Sequence, residues 1–405
     1  MTGLGKVRKP DEGRNARRTL DAADRMRQRA DEMAKRAFTR LFGDAPLREK
    51  TEPAEFAAAF RLAERYEREG EYASAGGMFA TLLCGRMDNK PIAGKLAWRG
   101  ALNYLRAGML NEAFHAFGSA IRNSPEGKER MARSAAERFI TFAKEAHGEN
   151  KHLGKALALK LAADLLKGID AKRASRLYEQ SGCVYLTASS QASSAMGCFA
   201  RAAECDPARA EKLIEGAVAS FMSMIRVLEG GNETKEAAYV SRLAAELRGK
   251  IRPELAHPLY LKARALYEAA GDGHGAADMC SKAADSIAER EPAEAARLKV
   301  KAGELLAVHR GVDHHAANEF AAAAKLLELV DPAASLDLHI RAGDIYTTAE
   351  NQREDEVERY FKEAKAEYAA ATRLAQQHAP GRLLELGAKK GCLIAEAERA
   401  GHTLE

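Results

Sequence analysis

Residues 98–125 constrain the fold most, because small, aromatic and turn-forming residues recur there at helical spacing. Ala113 and Ala120 lie seven residues apart and share one helical face, where their small size lets a second helix approach closely. Phe117 lies between them, and Trp98 of the other helix is predicted to pack at the same helix–helix contact, which we call the seam. Gly108 and the final proline of the stretch suit a turn and a helix end. We therefore predict two antiparallel helices joined by a tight turn.

The same order of residues returns after residue 53 with variable spacing. Looser pairs are predicted at 128–168, 208–250 and 333–377, and residues 383–400 are predicted to form a single closing helix. The pattern is similar to tetratricopeptide (TPR) repeats, units of about 34 residues that each pack only on their neighbours. We therefore predict an all-α chain over residues 53–400, an α-solenoid of roughly eight TPR-like antiparallel helix pairs with a C-terminal capping helix.

A different segment precedes the repeats. Ala23, Met26, Ala30 and Met33 recur at spacings of three and four residues, which predicts an amphipathic helix over residues 19–42. We predict that residues 1–45 form a basic arm, this helix and a hydrophobic loop.

Positive charge is concentrated in that segment. Residues 1–50 contain 14 Lys or Arg against 8 Asp or Glu, a net charge of +6, whereas the whole chain carries +5. The remainder is therefore close to neutral at −1, and the basic excess is assigned to the N-terminal arm. Such an arm suits an acidic surface, either anionic lipid, nucleic acid or an acidic protein. A solvated, frayed terminus is the alternative.

Composition favours a helical protein of the cytoplasm. Hydrophobic residues make up 46% of the chain and charged residues 30%, with no apolar run long enough to span a membrane and no signal-peptide pattern at the start. The six cysteines form no Cys-x-x-Cys pair. Cys84, Cys183, Cys198 and Cys280 lie in apolar helical patterns and are predicted to be reduced, packed thiols.

A family resemblance starts in the N-terminal segment. The sequence Ala-Phe-Thr-Arg-Leu-Phe-Gly at 37–43 is followed by a first helix pair with Tyr66 and the sequence Ala-Gly-Gly-Met-Phe at 75–79. In this order these features resemble the start of the soluble NSF-attachment proteins (SNAPs), most closely over residues 20–85. The resemblance implies a non-catalytic adaptor that links a helical, SNARE-like bundle of membrane proteins to an AAA-type ATPase in membrane fusion or trafficking.

The resemblance also implies site residues. Phe38, Leu41 and Phe42 would touch the membrane, and Leu404 would contact the ATPase. The alternative for the first three is packing against the first helix pair, since exposed apolar clusters are uncommon. The alternative function is a general TPR scaffold for soluble protein complexes with no membrane role.

Motifs for other activities are absent from the sequence. The chain contains no GxxxxGK[ST], HExxH or GxSxG, and we predict no catalysis, no cofactor and no metal. The glycine-rich residues 271–275 and the cluster of His309, His314 and His315 are interpreted as repeat turns. Nucleic acid is an unlikely partner, because no aromatic residues are interleaved with the basic ones.

Overall fold

The computed structural model describes residues 54–85, 89–124, 127–146, 152–187, 189–308, 313–348, 354–400 and 402 of the 405-residue chain. Every regular element in these ranges is a helix, and they contain seventeen α-helices and no strand. The described residues up to Ala174 form one compact unit and those from Ser175 form another, so that the division falls inside one helix.

The helices follow one another at short intervals. Those of the first unit are α1 (Ala54–Glu69), α2 (Tyr72–Cys84), α3 (Lys90–Arg106), α4 (Leu110–Arg122), α5 (Lys128–Glu145) and α6 (His152–Leu166), followed by α7 (Ala171–Tyr185), which contains the division. Those of the second unit are α8 (Ala192–Cys205), α9 (Ala210–Gly230), α10 (Thr234–Gly249), α11 (Pro253–Ala269), α12 (Gly273–Ile287), α13 (Pro292–Ala307), α14 (Asp313–Leu327), α15 (Pro332–Thr348), α16 (Glu354–His378) and α17 (Leu383–Arg399).

This order is the predicted one. Each odd-numbered helix and the even-numbered helix after it form a pair, which makes eight pairs in the described residues, and α17 is the closing helix. Within each unit, consecutive helices pack on each other along the chain. The described chain is therefore an all-α array of the helical-repeat, α-solenoid class, as predicted.

Local chemistry explains where helices begin and turn. Gly70, Gly108 and Gly271 join the two helices of a pair with φ values of +82°, +76° and +73°, a backbone region that other residues avoid. At the turn between α9 and α10, where the sequence has Gly230 and Gly231, the positive φ of 60° falls on Asn232 instead. Asp272 then starts α12 by accepting a 2.8 Å hydrogen bond from the backbone N–H of Gly275, so that the glycine-rich turn serves the repeat as predicted.

The core of the first unit follows the predicted seam. Ala113, Phe117 and Ala120 are fully buried. Trp98 is also fully buried and meets Phe117 edge to face, with ring centroids 4.7 Å apart. On its other side Phe117 meets Phe139 of α5 at 5.8 Å, so one aromatic ring joins two helix pairs.

Glycines facing aromatic rings form a recurring joint in both units. A Cβ atom on Gly76 would lie 2.7 Å from the ring of Tyr104, too close for any real contact. The second unit repeats this arrangement, with corresponding distances of 2.9, 2.6, 2.8 and 2.7 Å for the pairs Gly182–Phe199, Gly275–Tyr267, Gly303–Phe320 and Gly343–Tyr368. Each ring occupies the space that a side chain would take, and this lets adjacent helices approach closely.

Candidate protein-binding surface

The residues predicted to make functional contacts lie outside the described residues. This applies to the membrane-contact set Phe38, Leu41 and Phe42 and to Leu404, as well as to the basic arm and amphipathic helix of residues 1–45. These assignments therefore stay predictions. The surface features below were not predicted.

Ion pairs between successive repeats are the first such feature. In the first unit, Arg99 donates to Glu67 of the preceding pair through Nη2 at 2.6 Å, and Asn103 Nδ2 donates to the same carboxylate at 3.1 Å. In the second unit, Lys282 Nζ lies 2.8 Å from Glu246 Oε1, one repeat earlier in the chain. These pairs tie neighbouring repeats together and fix the spacing of their surfaces.

Basic residues gather where the odd-numbered helices begin and the even-numbered ones end, which we call the helix-start edge of each unit. Arg133 of α5 lies beside the turn between α6 and α7, with its Nη1 3.6 Å from Asp170 and its Nη2 donating to the carbonyl of Ile169 at 3.4 Å. The helix-start edge of the first unit carries Lys90, Arg122, Lys128, Arg130, Arg133, Lys167, Lys172 and Arg173.

Three of these cations lie at the starts of successive odd-numbered helices. Lys90 begins α3, Lys128 begins α5 and Lys172 lies at the start of α7; all three are exposed and make no ion pair within the described part of the chain. Two of the three carboxylates at this edge are bonded to arginine, Asp170 to Arg133 and Glu137 to Arg173, and the third, Glu129, follows Lys128 in the sequence. The edge therefore has more cations than its own carboxylates neutralise.

This finding corrects the assignment of the basic excess to the N-terminal arm alone. Residues 90–174 contain 16 Lys or Arg against 8 Asp or Glu, a net charge of +8, whereas residues 175–405 contain 29 against 35, a net charge of −6. The near-neutral total for residues 51–405 conceals two blocks of opposite sign. A count taken over shorter windows would have found them.

The helix-start edge of the second unit is neutralised differently. Arg252 lies 2.9 Å from Glu211 of the preceding repeat, and Arg290, which follows α12, lies 3.4 Å from Glu254 at the start of α11. Further along, Arg373 pairs with Glu328 and Arg382 pairs with Asp337. The arginines at this edge thus meet a carboxylate supplied by their own chain, while Lys212, Lys250 and Lys325 of the same edge are exposed and make no ion pair within the described residues.

A buried polar cluster joins three helices near the end of the second unit. His339 on α15 is 1% exposed, and its Nδ1 lies 2.6 Å from Glu367 Oε2 of α16, a distance at which a ring N–H donates to a carboxylate. Its Nε2 faces Glu328 at 3.5 Å and has no hydrogen-bond partner within the described residues. Beside it, Lys389 of α17 and the hydroxyl of Tyr368 both donate to Asp344, at 2.6 and 2.7 Å. Burial and this carboxylate raise the pKa of Tyr368.

Cysteines and histidines take structural or solvent-facing positions. Cys198 and Cys280 are buried, as predicted, and burial raises the pKa of the Cys280 thiol. The prediction is wrong for Cys84 and Cys183, which are exposed because they lie off the packed faces of α2 and α7. His314 stacks near Tyr360 with ring centroids 5.3 Å apart, while His309 lies outside the described residues.

Two further observations concern membranes and metals. Within the described residues, no helix is long and apolar enough to cross a membrane. The same part of the chain contains no group of three or more histidines, cysteines or acidic residues arranged to hold a metal ion.

The chain is similar to solved structures at low sequence identity and low TM-score. No protein-family model matches it, and no curated protein matches it. A solved circular tandem repeat protein with novel repeat topology aligns with 86% of this chain and 91% of its own, at 13% identity and a TM-score of 0.33. BtubC (BKLC) from P. vanneervenii aligns with 62% of this chain and 92% of its own, at 15% identity and a TM-score of 0.32. Neither likeness bears on what the chain binds.

Proposed function

We propose that the protein is a non-catalytic, protein-binding adaptor. The observation that supports this most is the recurrence of one joint, a glycine against an aromatic ring, at five described places between neighbouring helices. Four of these joints connect the two helices of one pair and Gly76–Tyr104 connects two pairs, while the ion pairs between repeats, such as Lys282 with Glu246, hold the side chains of successive repeats in place. Helical-repeat arrays use such extended surfaces to bind other proteins.

The finer proposal is a SNAP-like role in membrane fusion or trafficking. Its support is the sequence resemblance over residues 20–85, including the loop at 37–43. In this role the chain links a helical, SNARE-like bundle to an AAA-type ATPase, with Leu404 contacting the ATPase. The second candidate is a general TPR-like scaffold, which the helical array favours equally without any membrane role.

A reconstitution with purified components separates the two candidates. The full chain is mixed with a SNARE-type four-helix bundle and a hexameric AAA-type ATPase, and complexes are followed by size-exclusion chromatography. The SNAP-like role predicts a ternary complex whose ATPase component is lost with Leu404→Ser while the bundle remains bound. If the chain binds neither component, the SNAP-like role is wrong and the general scaffold stands.

The membrane contact is tested with vesicles containing anionic lipid. Each basic residue near such a surface contributes about 1 kcal/mol, and each fully buried apolar side chain about 1.5 to 3 kcal/mol. Binding should therefore weaken with salt and leave a salt-resistant remainder, which Phe38→Ser with Phe42→Ser should remove. The matched control is Leu329→Ser with Val330→Ser, two exposed apolar residues of the described chain. Equal losses in both double variants, or unfolding of the first, would refute the membrane contact.

A further inference from the structure

The helix-start edge of the first unit has a charge imbalance that the fold does not require. The second unit has the same arrangement of helix starts and ends, yet its edge arginines are met by Glu211, Glu254, Glu328 and Asp337. In the first unit, the eight Lys and Arg residues of the edge face only three carboxylates among the described residues, Glu129, Glu137 and Asp170, and Lys90, Lys128 and Lys172 are exposed and make no ion pair there. The fold forms with either a neutralised or a positively charged edge, so the surplus positive charge of the first edge is available to an external partner.

We propose that the helix-start edge of the first unit binds an acidic polypeptide segment. Carboxylates of the partner would take the places that acidic residues of the preceding repeat occupy in the second unit. This interaction surface is additional to the SNAP-like role and does not depend on a membrane or an ATPase. It gives the proposed adaptor a class of partner that charge complementarity defines.

The chemistry of the edge favours a polypeptide over nucleic acid. No aromatic side chain lies among its described residues 89–93, 119–124, 127–134 and 165–173, so there is nothing on which bases could stack. Glu129, Glu137 and Asp170 lie between the cations and would repel a continuous line of phosphates. A peptide, unlike a nucleic acid, can have carboxylates opposite the lysines and neutral side chains opposite the acidic residues of the edge.

The edge also lacks what a lipid surface would require. Large exposed hydrophobic side chains of the described chain, such as Leu153, Val227 and Leu384, lie elsewhere. Without an apolar group to insert, membrane binding through this edge would rest on charge alone. Contact with carboxylates, in contrast to contact with lipid, is already seen at this edge, where Arg133 and Arg173 each pair with a carboxylate.

Helix spacing indicates the pattern of the partner segment. Packed helices lie about 8 to 10 Å apart, and an extended chain advances about 3.3 Å per residue. The ion pair between Arg173 of α7 and Glu137 of α5 shows that side chains of successive odd-numbered helices meet, and lysines spaced by about 10 Å would match carboxylates about three residues apart. We infer a partner segment of about seven to nine residues with an acidic residue at every third position.

The test uses the full chain and a fluorescent 12-residue peptide of repeated Glu-Ser-Ala, with Gln-Ser-Ala as the uncharged peptide. The variant is Lys90→Glu, Lys128→Glu and Lys172→Glu. The matched control is Lys212→Glu, Lys250→Glu and Lys325→Glu, three exposed lysines at the helix-start edge of the second unit that also make no ion pair among the described residues. Both variants change the charge equally and touch no buried residue.

We expect the first triple variant to weaken binding of the Glu peptide at least tenfold and the control to weaken it less than twofold. The Gln peptide should bind neither protein. The N-terminal arm carries a charge of +6 and is present in every variant, so it could also bind the acidic peptide. The site of peptide binding is therefore also mapped directly. Carbodiimide coupling of peptide carboxylates to lysine amines, mapped by mass spectrometry, should mark Lys90, Lys128 and Lys172.

Three results would overturn the proposal. One is an equal loss in both triple variants, and another is coupling confined to the N-terminal arm. The third is a 12-nucleotide RNA, or vesicles containing phosphatidylserine, that binds more tightly than the peptide and loses affinity in the first variant only. A failure of the ternary complex described above would leave this test unaffected, since the peptide assay contains neither bundle nor ATPase.

Discussion

The two units build the same edge with different electrostatics. In the second unit an arginine such as Arg252 is matched by a carboxylate from the preceding repeat, Glu211, at 2.9 Å. In the first unit eight Lys or Arg at this edge face three carboxylates among the described residues, and Lys128 at a helix start is exposed and makes no ion pair there. Both units are built from helix pairs with glycine turns, and both contain glycine–ring joints. The comparison teaches that packing determines this fold while the edges vary independently of it.

The largest expected effect tests whether packing is equivalent in the two units. Phe117 and Phe320 occupy equivalent repeat positions and are fully buried. Phe117→Ala and Phe320→Ala should each lower the free energy of unfolding by about 3 to 5 kcal/mol, because each leaves a cavity. Hydrogen exchange measured by mass spectrometry should show the loss locally, around α3–α5 or around α13–α15. A large effect in one unit alone would show that the units are held together differently.

A smaller effect is expected where helices approach through alanine. Ala113→Leu and Ala316→Leu place a larger side chain at a fully buried position and should cost about 1 to 3 kcal/mol by forcing the pair apart. The controls are Ala58→Leu and Ala395→Leu, at exposed helical positions of the same two units. An unchanged thermal midpoint for Ala113→Leu would mean that the seam does not depend on small residues.

The buried histidine distinguishes the second unit. His339→Ala leaves Glu367, whose side chain is 12% exposed, without its 2.6 Å donor. Because that carboxylate keeps some contact with water, we expect a loss of about 1 to 2 kcal/mol in chemical denaturation, at the lower end for an unsatisfied buried group. His115→Ala, at an exposed position, should change stability by less than about 0.5 kcal/mol. Equal losses of stability in the two variants would mean that the buried polar cluster does not stabilise the fold.

The smallest effect on stability should accompany the sharpest test of the edges. Glu211→Gln with Glu254→Gln releases Arg252 and Arg290 from partly exposed ion pairs and should cost less than about 1 kcal/mol. Introduced into the chain with Lys90→Glu, Lys128→Glu and Lys172→Glu, this pair should restore part of the affinity for the Glu peptide, measured by fluorescence anisotropy. No recovery would mean that the first edge binds through more than unpaired cations.

Much of the fold was predictable because it depends on local spacing. The turn glycines, the alanine faces and the interruption between repeats all follow from residues a few positions apart, so helix pairs such as α9 and α10 were located to within about two residues. Gly76 was also part of the Ala-Gly-Gly-Met-Phe sequence at 75–79 that resembles the SNAPs. Its packing reason, contact with the ring of Tyr104, required the three-dimensional arrangement.

The candidate surface was less predictable for two physical reasons. The edge cations come from turns some forty residues apart, and their sum was hidden when +8 and −6 were averaged over the repeats. The contacts of His339 span 11 residues to Glu328 and 28 to Glu367, separations with no signature in a helical pattern. Exposure of Cys84 and Cys183 likewise depends on where each residue falls around the axis of its helix, which the apolar pattern did not fix.

The glycine–ring joints also bear on how the chain folds while it is being synthesised. In most of them the glycine precedes its ring, as with Gly76 and Tyr104, or Gly343 and Tyr368. Translation therefore produces the empty slot first and the ring that fills it about 17 to 28 residues later. Until that helix leaves the ribosome, the newest glycine-bearing helix has an unfilled groove. Such a helix is thus a template for the helix that follows it, and a pause in translation would expose one groove rather than a whole core.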